Sequence, residues 1–371
     1  MIIGIDAREI QKGVVTGIGR ALYNFLRYFD NCDDEHRIVL FSETTAPETF
    51  GTRITPIVRP PAQATFLWDQ TILPRLIRKH HVDLFFSPYY KVPLAGKIPV
   101  ISTIFDLMYI YYPVQWRGTG ALSRLYYRIF GGLMTAKACK VFTCSQYSKT
   151  EILRYYKMRP EKAHVIHLGL SDRYRPCRDV KTIETIKQKF GIASPYLLYT
   201  GNFKPHKNVA TLVEAFEKIR NSMPEILLVL AGNQDIYFAD LSDRIRRSPH
   251  GQAIVATGLV TLDEQIALYS GAAAFIFPSL YEGFGYPPLE AMACGTPVVS
   301  SDRTSLSEII GDAAIRCNPL DAADIAEKTV SLLRDTDLRR QCIERGLIRA
   351  RAFTNTGFCE QFYTMLLSSG R

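Results

Sequence analysis

Short apolar runs alternate with longer amphipathic stretches along the 371 residues of the chain. The runs have the composition of buried parallel strands, and the stretches between them have helical periodicity. In the first half, the pattern predicts strands at 1–5, 37–41, 83–86, 99–104, 140–144 and 163–167, and helices at 18–29, 66–79, 120–138 and 146–157. In the second half, it predicts strands at 196–201, 226–232, 253–258, 273–278 and 296–301, and helices at 208–221, 263–270, 288–294, 305–310, 321–334 and 337–351. This alternation indicates parallel sheets covered by helices on both faces.

The chain is long enough for two hydrophobic cores. A polar stretch with a proline, SDRYRPCRD at 171–179, separates the halves and is the expected hinge. We therefore expect an α/β protein of two tandem, Rossmann-like, doubly wound domains at 1–172 and 173–354. Residues 355–371 would form a C-terminal helix that packs back toward the first domain. Two such sheets that face each other across a cleft would bind ligands at the carboxyl ends of their strands.

Positive charge is concentrated in the first half. Residues 1–176 hold 24 Lys and Arg against 14 Asp and Glu, whereas residues 177–371 hold 21 against 22. Between Asp106 and Glu151 there is no acidic residue, and six basic residues occur among aromatic ones. This half is expected to meet an anionic surface or an anionic substrate.

The chain has no apolar window long enough for a membrane span and no signal-peptide pattern, so we expect a cytoplasmic protein. Its eight cysteines show neither C-x-x-C spacing nor a histidine partner pattern. Reduced, mostly buried thiols are therefore expected, rather than a zinc site or a disulfide framework.

Two loops after predicted strands have the composition of phosphate-binding loops. Gly17 and Gly19 lie in a loop that opens a helix, where backbone N–H groups can approach phosphate oxygens, although the third glycine of a dinucleotide fingerprint is replaced by Leu22. Lys204 and Lys207 lie in GNFKPHKN at 201–208 and could clamp a diphosphate. The alternatives are an ordinary turn for the glycines and two solvated side chains for the lysines.

Glu282 and Glu290 lie eight residues apart in EGFGYPPLE, after the predicted strand 273–278. Pro288 suits the first turn of a helix that Gly295 can end, which puts Glu290 in that first turn and Glu282 in the loop before it. Interaction with the helix dipole alone would explain Glu290 but not Glu282. The glycines between the two carboxylates leave backbone N–H groups for a phosphate or sugar oxygen.

The two glutamates form an E-x7-E pattern, and EGFGYPPLEAMACGTPVV resembles the retaining glycosyltransferases of family 4, which have the two-domain GT-B fold. The similarity extends over nearly the whole chain. It includes GIGR at 17–20, CSQYSKTEI at 144–152, VIHLGL at 165–170, YLLYTGNFKPHKN at 196–208 and SLSEIIGDAA at 305–314.

The resemblance implies a role for each matching residue. Glu290 would hold the ribose hydroxyls of a sugar nucleotide, Glu282 would face the transferred sugar, and Lys207 would neutralise the diphosphate. The other residues implied in donor binding are Gly17, Gly19, Asn202, Lys204, Ser279, Gly283, Phe284 and Gly285.

Three positions depart from the family pattern. Asn202 stands where many relatives have a basic residue, so Lys204 is expected to supply the second charge. Phe105-Asp106 replaces a frequent His-Asp, which makes Asp106 the candidate for orienting or deprotonating the acceptor. His206 occupies a commonly basic position and is expected to be partly charged.

The resemblance implies that a hexose, with mannose from GDP-mannose as the leading guess, is transferred to a hydroxyl of a saccharide or lipid-linked saccharide during polysaccharide or lipopolysaccharide synthesis. Configuration would be retained, by a front-face displacement, without a metal or a further cofactor. Residues 105–149 would contact anionic lipid on the inner face of the membrane. A nucleotide-sugar epimerase and a non-catalytic sugar-nucleotide-binding protein remain alternatives, whereas a dehydrogenase and a nucleic-acid binder lack their motifs.

Overall fold

The apolar runs form the strands of two separate parallel sheets in the computed structural model of the protein. The structure describes residues 1–10, 17–43, 50–60, 65–112 and 121–370, with the backbone alone described for 121–127. One unit comprises Met1–Gly169 and the C-terminal helix from Asn355, and the other comprises Leu170–Thr354.

The sheet of the first unit has seven parallel strands in the order β3-β2-β1-β4-β5-β6-β7. Its strands are β1 (Ile2–Asp6), β2 (Arg37–Ser42), β3 (Ile54–Val58), β4 (Leu84–Ser87), β5 (Val100–Thr103), β6 (Lys140–Thr143) and β7 (Ala163–Val165). The pattern did not predict β3, because this edge strand is largely exposed and contains Pro56.

Helices cover this sheet where the pattern predicted the longer ones. They are α1 (Gly17–Asp30), α2 (Thr65–Leu67), α3 (Leu73–Lys79), α4 (Met108–Tyr111), α5 (Ala121–Lys137) and α6 (Gln146–Tyr156), and a π-helical segment, Trp68–Ile72, joins α2 to α3. Helix α1 buries residues at helical spacing, among them Leu22, Phe25 and Phe29.

The second unit has six parallel strands in the order β10-β9-β8-β11-β12-β13. They are β8 (Tyr196–Thr200), β9 (Leu227–Ala231), β10 (Ile254–Gly258), β11 (Ala274–Phe277), β12 (Val298–Ser301) and β13 (Ile315–Cys317). The pattern missed β13 because a three-residue strand gives too short an apolar run.

The helices of the second unit, followed by the C-terminal helix of the first, are α7 (Val180–Lys189), α8 (Val209–Ser222), α9 (Ile236–Arg247), α10 (Leu262–Gly271), α11 (Tyr286–Ala293), α12 (Leu306–Ile310), α13 (Ala322–Arg334), α14 (Thr336–Arg351) and α15 (Asn355–Leu367). The pattern did not predict α7 and α9. Helix α7 buries no residue and α9 buries only Leu241, so neither has the wide apolar stripe on which such predictions depend.

Helix α15 belongs to the core of the first unit. The ring of Phe362 lies 4.7 Å from that of Phe25 and 5.3 Å from that of Phe142, between centroids. The C-terminal segment is thus anchored by aromatic packing.

Each sheet reverses its strand order once. In the first unit the reversal lies between β1 and β4, and in the second it lies between β8 and β11. Open α/β sheets bind ligands beyond the carboxyl ends of the strands at such a topological switch point. The loops that follow these four strands are therefore the first places to look for a site.

Two further expectations concern the whole chain. All eight cysteines are free thiols, and five of them are buried. Among the described helices, none is long and apolar enough to cross a membrane.

Candidate functional site

The switch point of the second unit brings two predicted residues into direct contact. Lys207 ends a short 3-10 turn, Pro205–Lys207, in the loop after β8, and Glu282 lies in the loop after β11. The Nζ atom of Lys207 lies 2.5 Å from Oε1 of Glu282, and the two side chains are only 12% and 9% exposed. The ammonium also lies 5.4 Å from the centroid of the Phe277 ring. The result is a desolvated ion pair in the position that the topology favours for a ligand.

The loop after β8 begins with a close approach of two backbones. A Cβ atom on Gly232 would lie 1.9 Å from the carbonyl oxygen of Gly201, so no larger residue fits there. Asn202 shapes the turn that follows: its carbonyl accepts a hydrogen bond from the Tyr199 hydroxyl (2.7 Å), and its Oδ1 accepts one from the backbone N–H of Lys204 (3.3 Å). These contacts give Asn202 a structural role in addition to any contact with a ligand.

His206 joins the two loops through its backbone, and its side chain is uncharged. Its carbonyl accepts hydrogen bonds from the Ser279 hydroxyl (3.1 Å) and the Leu280 N–H (2.7 Å). Burial, followed by the charges of Lys207 and Lys204, lowers the pKa of His206 to about 3. The expectation of a partly charged histidine is therefore wrong, because the residue is 2% exposed beside two cations.

The loop that carries Glu282 is held by two residues of the segment before α12. The backbone N–H of Glu282 donates to Oγ1 of Thr304 (3.0 Å). The Ser305 hydroxyl lies 2.8 Å from the carbonyl oxygen of Glu282 and 3.0 Å from that of Phe284. Sequence reasoning gave these residues no role, although Ser305 opens the SLSEIIGDAA stretch that signalled the family.

The residues between Glu282 and α11 are buried, Gly283 included. The Phe284 ring packs against Tyr286 and Phe353, with centroids 5.2 and 5.9 Å apart, and is thus a core side chain. Gly285 has φ of +107°, and a Cβ atom there would lie 2.6 Å from Cδ2 of Leu306. Both conditions require glycine at this position.

Glu290 lies in the second turn of its helix, whereas the sequence predicted the first. Helix α11 begins at Tyr286, because Gly285 adopts the left-handed conformation before it and the two prolines that follow need no N–H partner in a first turn. Gly295, with φ of +78°, follows the helix as expected. The Glu290 residue is 3% exposed, and its Oε2 accepts a hydrogen bond from the Tyr269 hydroxyl (3.1 Å).

The remaining predicted residues belong to the first unit. Asp106 is partly buried after β5, and its Oδ1 accepts a hydrogen bond from the Met108 N–H (2.9 Å). Gly17 and Gly19 lie in the first turn of α1, so the helix that the pattern predicted from residue 18 includes Gly17 as well. Residues 11–16, which precede α1 in the chain, lie outside the described residues.

A second charged cluster, which sequence reasoning missed, occupies the switch point of the first unit. Nη2 of Arg8 lies 2.5 Å from Oδ2 of Asp6, at the end of β1, and 2.5 Å from Oδ1 of Asp69, in the π-helical segment. The guanidinium also lies 5.4 Å from the centroid of Trp68. The only sequence signal was the polar DARE at 6–9 directly after an apolar strand.

The charges in this cluster perturb one another. Burial alone would lower the pKa of Arg8, but hydrogen bonds and charges from Asp6 and Asp69 outweigh it and raise that pKa. Burial raises the pKa of Asp69 more than Arg8 lowers it. Beside the cluster, the Tyr89 hydroxyl donates to Oε1 of Glu9 (2.7 Å). In the part of the chain that the structure describes, no group of three or more His, Cys, Asp or Glu side chains is placed to hold a metal ion.

Two family models match the chain in succession. Residues 15–173 match the model described as Glycosyltransferase Family 4, and residues 182–349 match the model described as Glycosyl transferases group 1. Together they take in most of both units.

Several curated proteins are similar to parts of the chain. O-antigen chain mannosyltransferase B of Escherichia coli is 34% identical over 219 residues, which cover 58% of this chain and 56% of that protein. The serotype-specific mannosyltransferase WbdA of Escherichia coli is 28% identical over 63% of this chain, which aligns with only 30% of WbdA. O-antigen chain mannosyltransferase RfbU of Salmonella typhimurium is 29% identical over 66% of this chain and 64% of its own length. The match thus spans about half, or less, of the first two relatives.

Solved structures with low sequence identity share the fold over nearly the whole chain. HepE of Anabaena in complex with UDP and glucose superposes with a TM-score of 0.78 at 18% identity, covering 99% of each chain. WaaG, a glycosyltransferase involved in lipopolysaccharide biosynthesis, superposes with a TM-score of 0.75 at 16% identity, again over 99% of each chain. With its two parallel-sheet units and its two matching family models, the chain belongs to the group 1 and family 4 glycosyltransferases and has the GT-B fold.

Proposed function

We propose that the protein transfers a hexosyl group from a nucleoside diphosphate sugar to an acceptor hydroxyl. The observation that carries the proposal is the contact of Lys207 with Glu282 at the switch point of the second unit. A cation and a carboxylate at that place suit a ligand that has both a diphosphate and a hydroxylated sugar. Membership of a glycosyltransferase family gives the reaction class.

The donor would engage four side chains of the second unit. The ammonium of Lys207 exchanges or shares its Glu282 contact with the donor diphosphate, since a lysine is a mobile point charge with three donors. Glu282 is then available to accept hydrogen bonds from the transferred sugar, and Glu290 accepts those of the ribose. Lys204 and the backbone of the Gly283–Gly285 loop complete the donor site.

The chemistry follows from where charge develops. As the bond between the anomeric carbon and the phosphate oxygen breaks, negative charge grows on the diphosphate, and Lys207 stabilises it without a metal ion. The acceptor oxygen forms its new bond on the same face of the sugar, so the configuration is retained. Its proton passes to the departing phosphate oxygen, which balances the reaction.

Asp106 is proposed to orient the acceptor hydroxyl. It follows β5 at the carboxyl edge of the first sheet, and Asp106→Asn keeps the oxygen that accepts from the Met108 N–H. We expect this variant to lose about a hundredfold in turnover, the lower range for removal of a catalytic carboxylate. Donor affinity, measured by calorimetry, should stay as in the wild type, and an equal loss of donor affinity would contradict the assignment.

Mannose is the proposed sugar and GDP-mannose the proposed donor, for use in polysaccharide synthesis. Three relatives are mannosyltransferases by name, and two of these names refer to the O-antigen chain. Thermal-shift screening against GDP-, UDP-, dTDP- and ADP-sugars, followed by turnover with the best binder, tests this proposal. Binding without turnover on any saccharide acceptor would favour a sugar-nucleotide-binding protein instead.

Measurements of donor binding and of turnover distinguish the proposed roles of the two glutamates. Glu290→Ala should weaken donor binding, and Glu282→Gln should depress turnover more than donor binding. Unchanged donor affinity in the first variant would remove the ribose assignment, and full activity in the second would remove the catalytic role of Glu282.

We also propose peripheral contact of residues 105–149 with anionic lipid on the cytoplasmic face of a membrane. On α5, Ile129 and Leu133 are half exposed beside Arg128, and the exposed Phe66 contacts Phe130 at 5.7 Å between ring centroids. Apolar side chains beside basic ones suit an interfacial surface. Arg117 and the side chain of Arg124 lie outside the described residues. The protein should co-sediment with phosphatidylglycerol vesicles at low salt and not with phosphatidylcholine vesicles.

A further inference from the structure

A line of hydrogen bonds leads from the end of β8 to Glu290. The Oγ1 atom of Thr200 lies 2.5 Å from the Tyr269 hydroxyl, which lies 3.1 Å from Oε2 of Glu290. The Nε2 atom of Gln265 lies 3.4 Å from the same carboxylate oxygen. Tyr269 and Gln265 both come from α10, one helical turn apart, so one helix presents both donors to Glu290.

The direction of these hydrogen bonds follows from the chemistry of the groups. An ionised carboxylate only accepts, so Tyr269 gives its single proton to Glu290, and Thr200 must then donate to Tyr269. Burial, followed by the charge of Glu290, raises the pKa of the Tyr269 phenol well above its usual value. Tyr269 therefore keeps its proton and remains a donor at neutral pH.

The donors are themselves held in place. The Tyr174 hydroxyl donates to Oε1 of Gln265 (3.2 Å), which turns the amide nitrogen toward Glu290. The Tyr269 ring is fully buried, and its centroid lies 5.4 Å from that of Phe275. The Thr296 hydroxyl donates to the Tyr269 backbone carbonyl (2.6 Å). Packing and hydrogen bonds together fix the ring that orients the carboxylate.

We propose that Tyr269, assisted by Gln265 and Thr200, is a positioning residue for the ribose of the donor. Both donors reach the same oxygen of Glu290, so they set the rotation of the carboxylate plane that receives the ribose hydroxyls. The inference rests on the proposed function, in which Glu290 binds ribose. It adds three residues that the E-x7-E pattern does not contain.

The experiment removes one hydroxyl from the protein and the matching hydroxyls from the ligand. Tyr269→Phe keeps the ring and its packing. Isothermal calorimetry then compares GDP or UDP, whichever the wild type binds more tightly, with the analogue that lacks both ribose hydroxyls. We expect the variant to raise the Kd of the normal nucleotide about tenfold, as one hydrogen bond to a charged group warrants. It should bind the deoxygenated analogue as the wild type does.

Steady-state kinetics and a second variant, Gln265→Met, test the same proposal. With the best sugar nucleotide, Tyr269→Phe should raise the donor KM and leave kcat within about twofold, because ribose binding is remote from the reacting carbon. Gln265→Met, at a partly buried position, should raise the Kd about threefold, since its hydrogen bond is longer. This variant keeps the test possible if Tyr269→Phe does not fold.

A matched control is available in the same unit. Tyr196 is also fully buried, and its hydroxyl donates to the carbonyl of Leu268 (2.7 Å), the residue before Tyr269 in the chain. Tyr196→Phe should lower the Tm and leave the nucleotide Kd unchanged.

The possible outcomes separate the inference from the proposed function. If the wild type binds neither nucleotide, the proposed function fails and the inference falls with it. If the wild type loses affinity for the deoxygenated analogue but folded Tyr269→Phe binds both ligands as the wild type does, only the inference is overturned. Equal weakening of both ligands by Tyr269→Phe also overturns it, because that result indicates a general structural role.

Discussion

The two switch points of the molecule each hold a partly buried cation, but the number of carboxylates in contact with it differs. In the first unit, Arg8 lies between two carboxylates, those of Asp6 and Asp69. In the second, Lys207 faces one, that of Glu282. A guanidinium fixed by two carboxylates is immobilised, whereas an ammonium with one carboxylate partner can take an additional anion. Among the residues that the structure describes, this comparison favours the second switch point for the proposed diphosphate.

The composition of the first half predicts an anionic ligand, but the charged residues at its switch point do not. The first half of the chain carries the excess positive charge, yet its switch point groups Asp6, Glu9 and Asp69 around Arg8 and Lys91. Negative charge and hydroxyl groups there suit an uncharged, hydroxyl-rich ligand better than an anion. The net positive charge of the first half therefore does not predict the charge at its switch point.

The largest expected effect comes from Lys207→Met, which removes the cation from the proposed donor site. We expect turnover to fall about a thousandfold, because the charge that stabilises the leaving diphosphate is lost. The free energy of unfolding should fall by about 2 kcal/mol, since Glu282 is left without its ion-pair partner at a site that is not fully dry. Steady-state kinetics and thermal unfolding measure the two effects.

The double variant Lys207→Met/Glu282→Gln separates stability from catalysis. It should regain most of the lost stability, because no unpaired charge remains, and none of the lost turnover. If turnover returned together with stability, Lys207 would be a structural residue and the comparison would fail.

The next effect concerns Arg8→Met in the first unit. The variant leaves the fully buried Asp6 and Asp69 facing each other, so we expect a loss of about 4 kcal/mol in the free energy of unfolding. Both tryptophans, Trp68 and Trp116, lie within the Met1–Gly169 range, so tryptophan fluorescence during urea unfolding reports on this unit.

Nucleotide affinity distinguishes Arg8 from Lys207. Lys207, Glu282 and Glu290 lie in the other unit, so Arg8→Met should leave nucleotide affinity within about twofold of the wild type at temperatures where the protein is folded. Addition of Asp69→Asn should restore part of the stability. A large loss of nucleotide affinity without a loss of stability would give Arg8 the role proposed for Lys207.

The smallest effect compares two glycines with nearly the same φ angle, one in each unit. Gly96 has φ of +105° and open space where a Cβ atom would lie, with no atom within 4 Å, whereas Gly285 has φ of +107° and meets Leu306. We expect Gly96→Ala to cost about 1 kcal/mol for backbone strain alone and Gly285→Ala about 3 kcal/mol, because a clash is added. Chemical unfolding measures both, and equal losses would mean that Leu306 moves aside.

Much of the fold could be predicted because the signals were strong and local. Continuous apolar runs such as ILLVLAG at 226–232 have few interpretations other than a buried strand, and the predicted order of strands and helices was correct. The elements that the pattern did not predict, β3, β13, α4, α7 and α9, are short or bury little. Their place in the fold depends on neighbours and caps, which a hydrophobic pattern does not contain.

The candidate site was predictable in part for the same reason. Lys207, Glu282 and Glu290 lie in loops and helix starts whose glycines and prolines mark them in the sequence. Tyr269 and Thr200 lie inside a helix and a strand, where their spacing is that of ordinary core residues. Only long-range packing reveals that their hydroxyls meet Glu290.

By itself, the sequence determined the α/β class, the tandem arrangement and the E-x7-E glutamates, because these depend on periodicity, length and local turn chemistry. Tertiary structure alone decided that Lys207 pairs with Glu282 across 75 residues of chain, that His206 is uncharged, and that Arg8 is held between two carboxylates. Ion pairs and pKa values depend on distance and burial. Both are set by the packing of segments that are remote in sequence.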